Sequence, residues 1–309
     1  MNEAYKKQVR LLLDVLPEVA KEDCFALHGG TAINLFVRNM PRLSVDIDLT
    51  YVDIDERIET LNSINAALIR IKKNIEALRP SIRIQHKIKY YKLQLDENGV
   101  LIKIEVNTIG RGLLGKAQTA VLCNDAQVQF DAFCAILMVP LGQLYGGKLC
   151  AALDRQHPRD IFDIKLLLEN EGFTDEIKHG FILGLVSSNR PTHELLNPNL
   201  LNQCAAFKNQ FEGMASIEFS YDDYENVRIQ LIETIKTSLS EEDKAFILSL
   251  NRLSPAWSIY NYQNFPAVLW KLQNLKKFKK DNPKEYIKQL NKLEGILGST
   301  SLTGDTGIR

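Results

Sequence analysis

The sequence lacks an excess of charge of either sign, a regular cysteine pattern and any long apolar run. Its 38 lysines and arginines balance 38 aspartates and glutamates, so a surface for a nucleic acid would have to be local. The five cysteines show no CxxC spacing, which argues against a zinc site or a disulfide framework. No apolar run approaches the roughly 20 residues of a membrane span, and Asp14, Pro17 and Glu18 interrupt any signal-peptide core. We therefore expect a cytoplasmic protein with no membrane partner.

What the sequence does contain is concentrated between residues 29 and 48, which read GGTAINLFVRNMPRLSVDID. A short apolar strand over residues 24–28 leads into the tight turn Gly29-Gly30, and Thr31 begins an amphipathic helix. The start of a helix offers unpaired backbone N–H groups and the positive end of the helix dipole. This segment predicts a phosphate-binding turn, although the two glycines could also serve the turn alone.

Two aspartates follow on a predicted strand. Apolar and polar side chains alternate over residues 43–50, which is the period of a strand with one buried face. Asp46 and Asp48 therefore project from the same face, roughly 7 Å apart. Two carboxylates so placed repel one another unless a cation lies between them, and hard oxygen ligands suit Mg²⁺ or Mn²⁺.

A third acid, Glu105, lies on a second predicted strand over residues 100–109 (VLIKIEVNTI). Three acids on adjacent strands that face a helix start are typical of phosphoryl or nucleotidyl transfer. In that chemistry, paired metal ions activate the attacking hydroxyl and neutralise charge on the phosphate. We expect Glu105 to be the third metal ligand, but it could instead pair with Lys103 or with a lysine on a neighbouring strand.

These motifs, together with the later segment YGGKLCAALDRQHPRDIFD (residues 145–163), resemble the AbiEii-type nucleotidyltransferases of the polymerase-beta superfamily. That family includes the MenT toxins and the toxins of type IV toxin–antitoxin systems. The resemblance covers residues 24–165, and the three segments occur in the family's order. The spacing from Thr31 to Asp46 is longer than in the shortest form of the superfamily signature.

The resemblance implies a role for several residues. Gly30 and Thr31, next to Gly29, would hold the triphosphate of an NTP, while the two aspartates of the strand bind metal. Lys148 would contact the nucleotide phosphates, and Asp163 would lie near the reacting group.

Other interpretations of the later segment stay open. Arg155 lies seven residues after Lys148, on the same helical face, where it could join the nucleotide contacts or belong to an ordinary charged surface. Asp160 and Asp163 follow Pro158 at a predicted helix start, where acids are often only partners of the helix dipole. His28, beside the glycine turn, is predicted to be a packed histidine.

A second glycine-rich segment, GRGLLGK at residues 110–116, has the spacing of a P-loop. Its next residue is Ala117, where a P-loop needs Ser or Thr to bind Mg²⁺. The residues that follow predict two short strands, over 117–121 and 126–130, instead of a helix. We interpret this match as chance.

Periodicity along the chain predicts an α+β protein. By the resemblance, residues 1–165 would form a polymerase-beta-like nucleotidyltransferase core with a mixed sheet, and residues 166–297 a mostly helical domain. From residue 132 onward almost only helical periodicity is present, beginning with a helix over 133–157. The Ser-, Thr- and Gly-rich residues 298–309 predict a disordered tail.

We expect a metal-dependent nucleotidyltransferase that moves a nucleoside monophosphate from an NTP to an acceptor. The resemblance favours the 3′ end of an RNA, tRNA in particular, and a growth-inhibiting toxin neutralised by an antitoxin protein. The same core could instead modify a protein or a small molecule, or could be a catalytically silent nucleotide- or RNA-binding module. Two basic segments, residues 79–92 and 268–294, are candidates for the acceptor surface.

Overall fold

A seven-stranded mixed sheet dominates the first half of the molecule. The structure, a computed structural model, describes residues 2–298. The strands are β1 (Phe25–His28), β2 (Asp46–Tyr51), β3 (Arg83–Lys87), β4 (Lys92–Glu97), β5 (Val100–Asn107), β6 (Gln118–Val121) and β7 (Ala135–Met138). They lie in the order β3-β4-β5-β2-β1-β7-β6. The pairs β2–β5 and β1–β7 are parallel and the other pairs are antiparallel.

Helices surround this sheet and form the whole of the second half. Those up to residue 155 are α1 (Glu3–Val19), α2 (Gly29–Ala32), α3 (Arg57–Leu78), α4 (Asn124–Phe130) and α5 (Leu141–Arg155). The later ones are α6 (Pro158–Asn170), α7 (Asp175–Ser187), α8 (Thr192–Leu196), α9 (Cys204–Gln210), α10 (Tyr221–Ser238), α11 (Glu241–Asn251), α12 (Pro266–Asp281) and α13 (Pro283–Leu297). The predicted α+β class, with a mixed sheet followed by helices, is confirmed. Among the described residues, no helix combines the length and apolar character needed to cross a bilayer.

The alternation along β2 separates a core face from an open face. Ile47 and Leu49 are buried in the hydrophobic core, while Asp46 and Asp48 are only partly buried and project from the other face. Helix α1 packs on β5, and α3 packs on β3 and β4. The open face of β2 is met by α2, whose Gly29-Gly30 start follows β1 directly, so chain continuity places the glycine turn beside the aspartates.

Helices α5 and α7 touch backbone to backbone. A Cβ added to Gly146 would lie 2.1 Å from the carbonyl carbon of Gly180, and one added to Gly180 would lie 1.8 Å from the carbonyl oxygen of Gly142. Any larger side chain at these positions would push the two helices apart. The contact crosses the boundary predicted at residue 165, which itself lies inside α6.

Two short elements differ from the prediction. Residues 135–138 form β7, where the sequence predicted the start of a long helix. The prediction missed this strand because the sequence AILM has no polar side chain that could reveal a two-residue period. Residues 124–130 form α4 instead of a strand, with Ala126 and Phe130 buried one turn apart. Of the predicted tail, residues 299–309 lie outside the described residues.

Candidate active site

An open cleft of ≈ 630 Å³ lies between the glycine turn, β2, β5 and the helices α5 and α6. Carboxylates and cations line it together. The carboxylates are Asp46, Asp48, Glu105 and Asp160, and the cations are Arg42, Lys148, Arg155 and Arg159. The cleft thus brings together most of the residues predicted from the sequence, since Gly29 and Gly30 also line it. Thr31 and Asp163 are the two predicted residues that do not.

The two aspartates of β2 stand in a field of like charge. In the strand register, Asp48 lies between His28 of β1 and Glu105 of β5. Burial raises the pKa of Asp48 to about 6, and the neighbouring carboxylates of Asp46 and Glu105 add to the increase against the effect of Lys148. A divalent cation held by Asp46 and Asp48 would relieve this repulsion, so the donor set fits Mg²⁺ or Mn²⁺.

Glu105 lies where it was predicted but is already engaged. Its backbone is paired with that of Asp48 across the sheet, and its carboxylate forms an ion pair with Lys92 of the neighbouring strand β4. This is the cross-strand lysine that the sequence left open as an alternative. Within the described residues, no three His, Cys, Asp or Glu side chains converge as a ready metal site. The role of Glu105 as a third ligand therefore remains a prediction.

Neighbouring side chains leave no room for a side chain at Gly29 or Gly30. Gly29 has φ +73°, and a Cβ there would lie 2.3 Å from the Oδ2 atom of Asp48. A Cβ on Gly30 would lie 2.9 Å from the Nη2 atom of Arg42 and 2.9 Å from the Oγ atom of Ser44. The turn therefore lets a carboxylate and a guanidinium approach the backbone from two sides.

The hydroxyl of Thr31 is engaged within the protein, and the contact of Thr31 with a triphosphate stays a prediction. Its side chain is fully buried, and its hydroxyl lies 2.5 Å from the backbone oxygen of Asp46 and 3.0 Å from the Oγ atom of Ser44. The hydroxyl therefore ties the glycine turn to the start of β2. We assign Thr31 a positioning role for Asp46.

A buried network of charges lies directly behind the cleft. Arg42 donates two hydrogen bonds to the carboxylate of Asp163, at 2.7 and 2.6 Å, and Asn34 donates a third at 3.0 Å. Lys148 forms ion pairs with Asp160 at 2.8 Å and with Asp163 at 3.1 Å. Burial alone would raise the pKa of Asp163, but the charges of Arg42 and Lys148 outweigh it and lower that pKa.

This network changes the interpretation of Asp163. Its carboxylate is fully buried, is occupied by three partners and holds Arg42 and Lys148 in place. Its place near the reacting group stays a prediction. Lys148 does line the cleft, and two carboxylates fix the direction of its ammonium group.

Arg155 and Asp160 form the outer part of the same network. The guanidinium of Arg155 pairs with Asp160 at 2.6 Å, while 63% of the Arg155 side chain remains exposed. Burial alone would raise the pKa of Asp160, but Lys148 and Arg155 together hold it below the ordinary value. Arg155 can therefore neutralise Asp160 and still reach a ligand in the cleft.

The overall match of the sequence decides the family. A profile of the AbiEii nucleotidyltransferase toxins of type IV toxin–antitoxin systems matches residues 10–274. The chain belongs to this family. The resemblance seen in the motifs is thereby confirmed, and so is the assignment as a nucleotidyltransferase.

The solved structures agree with the AbiEii assignment at the level of fold. The chain is similar to MenT4, a nucleotidyltransferase toxin from Mycobacterium tuberculosis H37Rv, with a TM-score of 0.60. The two chains share 12% sequence identity, over 89% of this chain and 95% of that one, so the similarity shows the fold alone. A search of curated proteins gave no match.

Two cleft residues of this AbiEii protein were missed by the sequence. Arg42 is buried, with 2% relative exposure, and its partner Asp163 is 121 residues away in sequence. Arg159 lines the cleft and, within the described residues, forms no ion pair; burial and the nearby Arg42 lower its pKa. Only the position of Arg159 in the first turn of α6, beside Asp160, could have drawn attention to it.

His28 is partly buried and packs between the sheet and α5, and it also lines the cleft of the AbiEii protein. Burial, followed by the charge of Lys148, lowers the pKa of His28 to about 4, so the ring is neutral near pH 7. Its Nδ1 atom lies 3.3 Å from the hydroxyl oxygen of Thr50. A Cβ on Gly147 of α5 would come within 3.0 Å of Nε2, so the ring fills the gap between sheet and helix.

The two basic segments lie on different elements. Residues 79–92 include β3 and the exposed Tyr90, which lines the cleft. Residues 268–294 lie on α12 and α13, where Tyr286 is buried and donates to the backbone of Asn251, so it cannot stack on a base. Lys271 is also buried and donates to the carbonyls of Ser188 and Arg190. The exposed lysines of α12 that remain are Lys276, Lys277, Lys279 and Lys280.

Proposed function

We propose that this AbiEii nucleotidyltransferase moves a nucleoside monophosphate from an NTP to the 3′ end of an RNA, with tRNA as the favoured acceptor, in a metal-dependent reaction. The observation that carries the proposal is the juxtaposition of Asp46 and Asp48 with Arg159 in one open cleft. Two mutually repelling carboxylates call for a divalent cation, and a cation without a carboxylate partner calls for phosphate.

Within this proposal the cleft cations divide the triphosphate contacts. Arg159 and Arg155 would bind the outer phosphates, and Lys148, with its third ammonium donor, would contact the phosphate nearest the reacting centre. The backbone of the Gly29-Gly30 turn lies beside them. A metal ion held by Asp46 and Asp48 would supply charge neutralisation at the phosphates.

Nucleotidyl transfer then needs little covalent chemistry from the protein. The acceptor oxygen forms a bond to the α-phosphorus, the bond from that phosphorus to the bridging oxygen breaks, and pyrophosphate leaves with the electron pair. The proton of the acceptor hydroxyl is released to solvent in the open cleft. The fixed positive charges of Lys148 and Arg159 favour the departure of pyrophosphate because they are already in place.

The charge of the cleft favours RNA over a small cationic acceptor. Four cationic side chains and four carboxylates line the cleft, so a divalent cation held by Asp46 and Asp48 would make its net charge positive. A polycationic aminoglycoside would meet repulsion there, whereas a polyanion would not. We further propose that the enzyme acts in the cytoplasm and is neutralised by an antitoxin protein, as its family implies.

The test is a transfer assay with each of the four NTPs, labelled on the α-phosphate, together with Mg²⁺ and total cellular RNA. We expect one RNA size class to gain label, with release of pyrophosphate, and an excess of chelator to abolish the signal. Nuclease digestion of the product should place the label at the 3′ terminus. The control is the Asp48→Asn variant at the same concentration.

The same assay can contradict the proposal in two ways. Label that appears on protein or on added aminoglycoside, with none on RNA, would transfer the function to that acceptor. No transfer to any acceptor, with NTP binding intact, would support the catalytically silent module.

A further inference from the structure

A second cavity of ≈ 360 Å³ opens from the catalytic cleft. The two share His28, Asn107, Gly147 and Ala151 along their common wall. The second cavity is formed by α5, α7, the segment after β5 and the residue before α12, which is Phe265. A volume near 360 Å³ lies at the lower end of the range for small-ligand pockets, about 300–1,000 Å³, and admits a single nucleotide unit but no duplex.

The position of this cavity follows from the direction of β2. At the start of the strand, Asp46 lies near the cations Arg42 and Arg159, which belong to the phosphate end of the cleft. Two residues beyond Asp48, Thr50 is paired with Asn107, which lines the second cavity. The carboxylates therefore lie between a cationic end and the second cavity.

In-line transfer requires the acceptor and the leaving pyrophosphate to lie on opposite sides of the reacting centre, as the second cavity and the cationic end lie on opposite sides of the carboxylates. The attacking oxygen and the leaving pyrophosphate lie on opposite sides of the phosphorus during phosphoryl transfer. If pyrophosphate leaves towards Arg42 and Arg159, the acceptor hydroxyl must approach from the side of Thr50 and Asn107. We propose that the second cavity binds the terminal nucleotide of the acceptor strand; this rests on the proposed transfer to RNA.

Arg111 supplies the matching charge. It lines the second cavity, is 7% exposed, and its Nε and Nη1 atoms have no hydrogen-bond partner in the part of the chain that the structure describes. Asp55 and Glu56 are near enough to act on its charge, but neither forms an ion pair with it. A buried guanidinium with unused donors is costly, and a phosphate at its remaining accessible edge would offset its charge. An RNA end carries such a phosphate one bond before its last nucleoside.

The rest of the lining suits a nucleoside and does not suit a cation. Leu183 and Phe265 offer apolar surface, and Ser187 carries a hydroxyl without a hydrogen-bond partner among the described residues. The carboxylate of Asp154 is neutralised by Arg190 at 3.0 Å. Positive charge therefore prevails in the cavity.

Two variants test the cavity by different means. Arg111→Gln removes the charge, and Ser187→Leu fills space without changing charge. Lys73→Gln is the matched control, because this exposed lysine of α3 lines neither cavity. Two quantities are measured: the Kd of a short 5′-fluorescein single-stranded RNA by anisotropy, and the KM values for that RNA and for the NTP.

We expect both cavity variants to weaken RNA binding at least about tenfold, with the KM for NTP within about twofold of the parent and the control unchanged. The dependence of log Kd on log salt should flatten by about one unit in Arg111→Gln and stay the same in Ser187→Leu. Thermal unfolding of each variant verifies the fold.

Three outcomes overturn the inference. A raised KM for NTP with RNA affinity unchanged would assign the cavity to the nucleoside of the NTP. Parent-like RNA binding in both variants, when the parent does label RNA, would remove the cavity from the site but leave the proposed function standing. A parent that labels no RNA would defeat the proposed function itself.

Discussion

The molecule contains two pairs of aspartates in opposite electrostatic environments. Asp46 and Asp48, two residues apart on a strand, face an open cleft, and burial together with like charge raises the pKa of Asp48 to about 6. Asp160 and Asp163, three residues apart on a helix, are buried more deeply, yet their pKa values are lowered. Burial acts in the same direction on the pKa values of Asp48, Asp160 and Asp163, so it cannot explain the difference.

The difference lies in what the fold brings to each pair. Arg42, Lys148 and Arg155 all direct their charges at the helical pair, and this compensates for its loss of water. The strand pair receives no such set of hydrogen-bonded cations from the described residues. Carboxylates that lack cationic partners, as in the strand pair, are suited to bind a ligand. Carboxylates that are paired with cations, as in the helical pair, stabilise the fold.

The largest effect should come from neutralising the strand pair. Asp46→Asn and Asp48→Asn should each lower transferase activity by about 10³-fold or more, because the metal site loses a charged ligand. The Tm should hold or rise, since repulsion between the carboxylates is relieved. Activity is measured with labelled NTP and stability by thermal unfolding, with the exposed Asp53→Asn as control. A variant that keeps activity within a few-fold of the parent would contradict the metal assignment.

The next largest effect is a loss of stability, which we expect when the helical pair is neutralised. Asp163→Asn should lower the free energy of unfolding by about 3–5 kcal/mol, because Arg42 and Lys148 lose the partner they share inside the protein. Denaturant unfolding of the parent and the variant measures this loss. If the variant were as stable as the parent and yet inactive, Asp163 would belong to the reacting centre as the sequence predicted.

The smallest effect concerns pH, where Asp48 and the helical pair should change the stability with opposite signs. Asp48 has a raised pKa of about 6, so in chelator its protonation should increase stability by on the order of 1 kcal/mol as the pH falls from about 7.5 to 5.5. Asp160 and Asp163 have lowered pKa values, so their contribution is present above the ordinary carboxyl range and is lost as the pH falls below about 4.

Thermal unfolding across this pH range checks the sign of each contribution. Asp48→Asn should lack the gain near pH 6 and keep the loss in acid, and added Mg²⁺ should suppress the gain in the parent. A gain of equal size in Asp48→Asn would place its source in another group.

The strand pair could be predicted from the sequence because its information is local. A two-residue period over residues 43–50 determines which face Asp46 and Asp48 share, and Gly29-Gly30 lies within 20 residues of them. The same argument located Glu105, and the alternative that it pairs with a lysine on a neighbouring strand agrees with its ion pair with Lys92.

The role of Asp163 could not be assigned because two of its three partners, Arg42 and Asn34, are distant in sequence. Arg42 is 121 residues from Asp163, and no local period records that contact. The engagement of the Thr31 hydroxyl by the backbone of β2 is also invisible in the sequence, because its acceptor, Asp46, is 15 residues away. The second cavity needs α5, α7, the segment after β5 and Phe265 to meet, so only the tertiary structure could reveal it.

The glycine contact between α5 and α7 limits how this enzyme can move. With backbone against backbone at Gly146 and Gly180, neither helix can slide without separating the pair, so this joint is unsuited to act as a hinge. Lys148 lies on α5, two residues beyond Gly146, and is thereby anchored to the helical half as well as to the sheet. Helix α7, which carries no cleft side chain, thus helps to keep the lysine and the aspartates at a constant separation while substrates come and go.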